Sequence, residues 1–271
     1  MTVSTATATA ASTAPATAIT RHARELPGFI SRVDAALVRL WTAAQAHSGR
    51  IVQASSLGAE DMVITDLIAR NALPIAVATL DTGALHDETL ALIPRIQQRY
   101  GIEVQRFSPA ADAVAAYSAA HGSLANLPMR RSVELRKACC ALRKVEPLSR
   151  MLADRSAWIT GMRREQSNER GAVPFSESDA EGREKMSPLA DWSLADVWHY
   201  IAIHEVPYNP LHDQFFPSIG CAPCTRAVAL GEDFRAGRWW WEQEGGKECG
   251  LHVHPIHAIR PVAEAFEKAP S

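Results

Sequence analysis

Apolar residues along this 271-residue chain alternate between short runs and helical repeats. The runs typical of strands are 51–55, 75–80, 103–107 and 158–160. The stretches with helical spacing are 29–47, 62–68, 85–100 and 112–120. Strands that alternate with helices predict an α/β fold with a doubly wound, mostly parallel sheet. In such sheets ligands bind at the carboxyl ends of the strands.

The second half of the chain continues this pattern less regularly. Residues 132–150 predict a helix, and 185–189 a fifth strand. A further helix is expected at 193–204, with Ser193 as its N-cap. The acidic stretch 174–184 has no clear period, so we expect a loop there.

Five cysteines carry the clearest chemical signal. Cys139 and Cys140 are adjacent in the predicted helix 132–150, where neighbouring side chains point about 100° apart. They cannot easily bond each other, but both can reach one object between them. Cys221 and Cys224 form a second pair about 80 residues later, and two such pairs are a ligand set for a metal ion or an iron–sulfur cluster. Cys249 stands apart, between polar and glycine-rich neighbours, which suits a reactive thiol.

Composition narrows the class of protein. The net charge is −2, which gives no support for a nucleic-acid or membrane partner. No apolar run is long enough to span a bilayer, and no secretory signal opens the chain. An odd number of cysteines in a chain this long does not suggest a disulfide framework, so we expect a cytoplasmic protein.

Three regions are predicted along the chain. Residues 1–20 are almost all Ala, Thr and Ser and predict a disordered tail, with an organelle transit peptide as the alternative. Residues 21–244 predict one α/β domain. Residues 245–271 predict a mobile segment that carries Cys249, with Gly245-Gly246 as its hinge.

Two turns at predicted strand ends favour a nucleotide site. The first is SSLG at Ser55–Gly58, and the second is LDTG at Leu80–Gly83. A strand, a small-residue loop and a helix together direct backbone N–H groups at an anion. A third strand end carries Arg163, Arg164 and Arg170, which are either an anion clamp or part of a solvated loop.

These motifs together resemble the assimilatory adenylyl-sulfate reductases, the iron–sulfur-containing branch of the PAPS reductase family. The resemblance runs from about Ile51 to about His252 and includes SSLGAED, LDTG, ACCALRKVEPL, TGMRREQS, GCAPCTR, GEDFRAGRWWW and ECGLH. It implies a fold like the adenine-nucleotide α-hydrolases, with a modified pyrophosphatase loop at Ser55–Gly58. It also implies a [4Fe–4S] cluster held by Cys139, Cys140, Cys221 and Cys224.

The implied activity is reduction of adenosine 5′-phosphosulfate to sulfite and AMP, for sulfate assimilation and cysteine biosynthesis. Cys249 would form an S-sulfo intermediate, and thioredoxin or a glutaredoxin-like donor would supply electrons. The oligomeric state carries no sequence signal, and a homo-oligomer stays open. The implied substrate-binding residues are Ser55, Ser56, Leu57, Gly58, Leu80, Lys144, Arg163, Arg164, Arg235, Arg238 and His252.

Several alternatives remain at this point. The four cysteines could hold zinc, although adjacent cysteines fit a zinc tetrahedron poorly. The chain could be an ATP-adenylylating enzyme of the same nucleotide-loop superfamily, or a non-enzymatic iron–sulfur sensor. The substrate could also be the 3′-phosphorylated sulfonucleotide. His252 could serve the substrate or only the structure.

Overall fold

The computed structural model describes residues 16–166 and 170–242. Its centre is a six-stranded sheet in the order β3-β2-β1-β4-β6-β5. Every neighbouring pair is parallel except β5–β6, which is antiparallel. The strands are β1 Ile51–Ser55, β2 Ala76–Leu80, β3 Val104–Phe107, β4 Ala157–Ile159, β5 Ser176–Ser178 and β6 Glu184–Met186. The prediction of a mostly parallel α/β sheet is therefore confirmed.

Helices cover both faces of this sheet. They are α1 Ala18–His22, α2 Phe29–Ala46, α3 Ala59–Arg70, α4 Asp87–Leu90, α5 Leu92–Tyr100, α6 Ala111–His121, α7 Val133–Cys140, α8 Glu146–Leu152 and α9 Leu194–His204. Alternate β1 residues point to opposite faces, so Ile51 packs with α2, α3, α5 and α9, whereas Val52 packs with α8. No helix among the described residues is both long and apolar enough to cross a membrane.

The helix predicted for 132–150 is one helical run with a widened turn. A π-helical turn at Ala141–Val145 joins α7 to α8, directly after the cysteine pair. Pro147 lies in the first turn of α8, where its missing N–H is tolerated. Single π-turns inside helices are frequent at functional sites, because they re-aim the side chains that follow.

Three predicted element boundaries are wrong. The helix predicted for 85–100 is interrupted at Ala91, because Pro94 cannot donate to the carbonyl four residues earlier. Residues 176–178, within the predicted loop 174–184, form strand β5 at the sheet edge. The described part of the predicted disordered tail is ordered, since α1 begins at Ala18 and packs on α9.

Two hydrogen bonds at the ends of helices hold the elements around the site in place. Ser193 caps α9 as predicted, and its hydroxyl accepts from the Asp196 N–H within a capping box. At the other end of the domain, the Ala18 N–H donates to the Asp213 carboxylate at 2.6 Å. This contact ties α1 to the 3₁₀ turn Pro210–Gln214, whose His212 lines the cavity described below.

Candidate functional site

The loop Ser55–Gly58 joins β1 to α3 and is held from beneath by one apolar side chain. Leu57 is 1 % exposed and belongs to the main core, while its backbone adopts the left-handed conformation with φ 60°. A left-handed non-glycine residue is strained and persists only where its surroundings fix it. Burial of the Leu57 side chain provides that fixation, so the loop has one defined shape.

A buried carboxylate organises the same loop from above. Asp61, in the first turn of α3, accepts from the Ser56 N–H at 2.7 Å and from the Ser56 hydroxyl at 2.6 Å. Burial raises the pKa of Asp61 to about 6, against the hydrogen bonds from Ser56, which lower it. Its other oxygen, Oδ1, faces Gly161 and is buried without a hydrogen-bond partner.

Gly161 allows the end of β4 to approach the start of α3. A Cβ atom at this position would lie 2.6 Å from Asp61 Oδ1 and 2.9 Å from Glu60 Cβ. Both distances are too short for side-chain atoms, so only glycine fits here without displacement. The end of β4 and the start of α3 are thereby held in contact.

A cavity of about 210 Å³ opens at the carboxyl ends of β1, β2 and β4. This is the place at which an open α/β sheet binds its ligands. Serine hydroxyls line one part of its wall, and cationic side chains line another. The predicted substrate residues that it brings together are Ser55, Ser56, Gly58, Leu80, Lys144, Arg235 and Arg238.

Three other predicted substrate residues lie elsewhere. Leu57 is inside the core. Arg163 is buried and donates to Glu60 Oε1 at 2.9 Å. Arg164 donates to the Val173 carbonyl oxygen at 2.9 Å and lies over the Phe175 ring. These three residues are therefore outside the set that lines the cavity, and their role in substrate binding stays a prediction.

Arg170 takes the place expected for Arg163 or Arg164. It lies in the same loop and lines the cavity together with Gln166, to which it donates at 2.5 Å. The sequence showed Arg170 as one of three clustered arginines, but nothing in the spacing indicated which one would face a ligand. Arg163 does not line the cavity, because its guanidinium forms a buried ion pair with Glu60 in the core.

Sequence reasoning also missed His212. Its Nδ1 lies 2.8 Å from the Phe216 carbonyl oxygen, so the ring N–H is at Nδ1. Burial lowers the pKa of His212 to about 4, and the ring is neutral. No spacing or motif distinguishes it from the other histidines of the chain.

The four paired cysteines meet in one buried cluster beside this cavity. Cys139, Cys140, Cys221 and Cys224 are each 7–8 % exposed and none forms a disulfide. They line a second, smaller cavity with Leu124, Met129 and Trp239. Within residues 16–166 and 170–242, no three Cys, His, Asp or Glu side chains converge closely enough to hold a single metal ion.

Burial makes two of these thiols, Cys139 and Cys224, poor acids by themselves. It raises the pKa of Cys139 and raises that of Cys224 to about 12, although nearby cations act in the opposite direction. Such buried thiols ionise readily only when a positive centre binds them. The Thr82 hydroxyl lies 3.3 Å from Cys221 Sγ and adds a polar contact to the set.

Lys144 connects the two cavities. It lies in the π-helical turn after Cys140 and lines both the larger cavity and the cysteine cavity. Burial raises the pKa values of Cys139 and Cys224, and the charge of Lys144 opposes part of that rise. Lys144 thus lies between the cysteine cavity and the larger cavity, and its contact with a substrate stays a prediction.

Three predicted features lie outside the described residues. These are the reactive Cys249, His252, and the hinge at Gly245-Gly246. The described chain ends at Glu242, next to Trp239, which lines both cavities.

Sheet order, loop and cavity together define an α/β protein with a ligand cavity at the carboxyl ends of its parallel strands. Residues 50–227 match the phosphoadenosine phosphosulfate reductase domain, and the chain belongs to that family of reductases. A relative from Burkholderia cepacia, named adenosine 5′-phosphosulfate reductase, is 51 % identical over 255 residues, which are 94 % of this chain and 98 % of the relative. The resemblance read from the motifs is thus confirmed.

Two further similarities agree with this assignment. An adenosine 5′-phosphosulfate reductase from Allochromatium vinosum is 53 % identical over 231 residues, covering 85 % of this chain and 89 % of the relative. Among solved structures, the phosphate complex of phosphoadenylyl-sulfate (PAPS) reductase from Candida auris has the same fold. It aligns with a TM-score of 0.57 at 24 % identity, over 74 % of this chain and 98 % of that one.

Proposed function

We propose that this protein reduces adenosine 5′-phosphosulfate to sulfite and AMP, with Cys249 as its nucleophile. The observation that carries the proposal is the junction of two cavities at Lys144. A strand-end nucleotide cavity with cationic walls adjoins four buried thiols, and the chain leaves this region seven residues before Cys249. The names of the relatives at 51–53 % identity supply the substrate.

The four buried thiols suit a [4Fe–4S] cluster. Such a cluster takes one thiolate at each of four iron atoms, so its ligands surround a volume rather than a point. Cys139, Cys140, Cys221 and Cys224 line one buried cavity. Zinc sites made of four cysteines usually come as two Cys-x-x-Cys pairs, and the adjacent Cys139 and Cys140 depart from that spacing. When bound, the cluster would order the four thiolates and hold Lys144 at the cavity wall, and the electrons come from elsewhere.

The chemistry begins with a thiolate and an electrophilic sulfur. The Cys249 thiolate attacks the sulfate sulfur, the sulfur–oxygen bond to the phosphate breaks, and AMP leaves with that electron pair. The product is an S-sulfocysteine. A cysteine is the appropriate residue because its thiolate is the strongest soft nucleophile that a protein has at neutral pH.

Thioredoxin, or a glutaredoxin-like donor, completes the reaction. Its first thiolate attacks the Cys249 sulfur, and sulfite departs with the bonding pair. The mixed disulfide is then resolved by the second thiol of the donor, which ends as a disulfide. Two electrons pass from the donor to sulfur, so the balance closes without a redox change at the cluster.

The cationic side chains of the cavity have a clear task in this scheme. Lys144, Arg235, Arg238 and Arg170 line it, and a sulfonucleotide carries negative charge on both phosphate and sulfate. Guanidinium groups bind such oxyanions in pairs of hydrogen bonds. We assign these four residues to anion binding, with His252 as a further candidate outside the described chain.

The biological setting follows from the reaction. Further reduction of sulfite supplies the sulfur that cells incorporate into cysteine. We therefore assign the enzyme to assimilatory sulfate reduction and cysteine biosynthesis. The donor proteins and the reduced thiols that the reaction requires indicate a reducing compartment, the cytoplasm.

The test is a covalent one. Incubation with adenosine 5′-phosphosulfate in the absence of thioredoxin should add ~80 Da to the peptide that holds Cys249. The Cys249→Ser variant should bind AMP normally but release no sulfite. An unmodified peptide, or undiminished sulfite release by the variant, would refute the mechanism. Release of pyrophosphate from ATP would indicate an adenylylating enzyme instead.

A further inference from the structure

The last described residues, Trp239–Glu242, contact both parts of the chain that carry the paired cysteines. We call them the exit segment, because the chain continues from them towards Cys249. The Trp239 N–H donates to the Cys224 carbonyl oxygen at 3.3 Å. The Glu242 carboxylate accepts from Arg136 Nε at 2.5 Å, and Arg136 lies in α7 about one turn before the cysteine pair.

The contact between Arg136 and Glu242 is a buried ion pair. Their side chains are 1 % and 8 % exposed. The Arg136 guanidinium also lies 4.6 Å from the centroid of the Trp239 ring. Removal of one member of a buried pair leaves an uncompensated charge, so this contact resists opening far more than a surface pair does.

A second arginine reinforces the same junction. Arg130 donates to the Pro223 carbonyl oxygen at 2.8 Å, inside the loop between Cys221 and Cys224. Its guanidinium lies 4.5 Å from the Trp240 ring centroid and 5.1 Å from that of Trp241. The exit segment is therefore held on both sides by residues that also fix the cysteine positions.

The exit segment also borders the nucleotide cavity. Trp239 lines that cavity together with its neighbour Arg238. From Glu242 the chain reaches Cys249 in seven residues, which span at most about 25 Å when extended. The region that a thiol on so short a tether can reach depends on where the tether begins. Its effective concentration at the bound sulfate is set by that origin.

We propose that Arg136 and Glu242 are positioning residues for the sulfonation of Cys249. They fix the origin of the segment that carries the nucleophile, beside the nucleotide cavity. The inference rests on the proposed role of Cys249, and it assigns these two residues no contact with the substrate. Loss of the pair should slow the attack of the thiol while nucleotide binding and iron binding persist.

The test compares three variants in single-turnover experiments. Glu242→Gln keeps the shape of the side chain and removes its charge. Glu242→Asp keeps the charge and shortens the reach. Glu146→Gln is the matched control, because it opens a solvent-exposed pair with Arg150 of 2.6 Å. For each we would measure the rate of S-sulfo formation by mass spectrometry, the AMP dissociation constant by calorimetry, and the iron content.

The expected result is a split between these readouts. Glu242→Gln should form the S-sulfo adduct at least about tenfold more slowly, because small misplacements of a reacting group cost that much or more. Its AMP affinity and iron content should equal those of the wild type. Glu242→Asp should recover part of the rate, and Glu146→Gln should behave as the wild type.

The opposite outcomes overturn the proposal. An unchanged sulfonation rate in Glu242→Gln would do so, and so would a slower rate matched by an equal loss of AMP affinity at full iron content, which indicates a merely structural role. If Glu242→Gln loses its iron, Glu242→Asp decides: slow sulfonation at full iron supports positioning, and a joint loss refutes it. Failure of the wild type to form the adduct would instead remove the proposed function.

Discussion

Substitution of Gly161 by alanine tests the close approach of β4 to α3 at the nucleotide site. The added methyl group would lie 2.6 Å from Asp61 Oδ1 and 2.9 Å from Glu60 Cβ. Carbon atoms in contact prefer separations of about 3.5–4.0 Å, so the neighbours must move by nearly 1 Å. Asp61 cannot simply rotate away, because its other oxygen holds both polar hydrogens of Ser56. The start of α3 and the end of β4 must therefore separate.

This displacement should weaken ligand binding more than it weakens the fold. Overpacking of this kind costs about 1–3 kcal/mol of unfolding free energy. Loss of one well-aligned hydrogen bond to a charged phosphate costs about 1.5–3 kcal/mol, so we expect the AMP dissociation constant to rise roughly tenfold to one hundredfold. Calorimetric titration of AMP gives the affinity, and urea unfolding gives the stability.

Gly182→Ala is the matched control. Gly182 has φ 78° and open space around its Cβ position, in the turn between β5 and β6. Alanine there costs about 1 kcal/mol of backbone strain without any clash. Its AMP affinity should be unchanged. If Gly161→Ala binds AMP within twofold of the wild type, the close approach of β4 to α3 has no role in the site.

Three further predictions concern charges and thiols. Burial raises the pKa of Asp61 from 3.8 to about 6, so the folded state binds this proton more tightly than the unfolded state. Wild-type stability should fall relative to Asp61→Asn by about 2 kcal/mol as the pH rises from 4 to 7 in urea titrations. Glu60→Gln should cost about 3 kcal/mol, because buried Arg163 loses its partner. Cys139→Ser should lose iron in metal analysis, and Cys249→Ser should retain it.

Each of these predictions has a clear contrary outcome. A parallel pH dependence in wild type and Asp61→Asn would show that this carboxyl is not the buried acid of the fold. A Glu60→Gln variant as stable as the wild type would mean that water or Glu165 compensates the guanidinium of Arg163. Equal iron loss in Cys139→Ser and Cys249→Ser would contradict the division of the cysteines into four ligands and one nucleophile.

Most of the sheet could be predicted from the sequence, because its inner strands are buried on both faces. The inner strands β1 and β2 consist mainly of apolar residues, and the stretch between them has helical spacing. β5 could not be found, since its residues Ser176, Glu177 and Ser178 are polar and pair on one side only. The break at Ala91 was foreseeable, because Pro94 marks it in the sequence.

Residues of the site could be predicted from the sequence only where the residue type and its spacing indicate the same role. Cys139, Cys140 and Lys144 met these conditions, since their spacing on one helical run places them near one another. The choice among Arg163, Arg164 and Arg170 was not determined, because it depends on the carboxylate of Glu60 across the core. Tertiary ion pairs of this kind have no local pattern in a sequence.

The left-handed residue of the nucleotide loop has a thermodynamic consequence. Because the Leu57 side chain is buried under the loop, the loop has its final shape before any ligand arrives. Such preorganisation removes the entropy cost of ordering backbone during binding. Glycine at this position would relieve the dihedral strain, but it would leave a void in the core and let the empty loop sample many shapes. The nucleotide would then bind only those loop conformations that fit it, and its affinity would be lower.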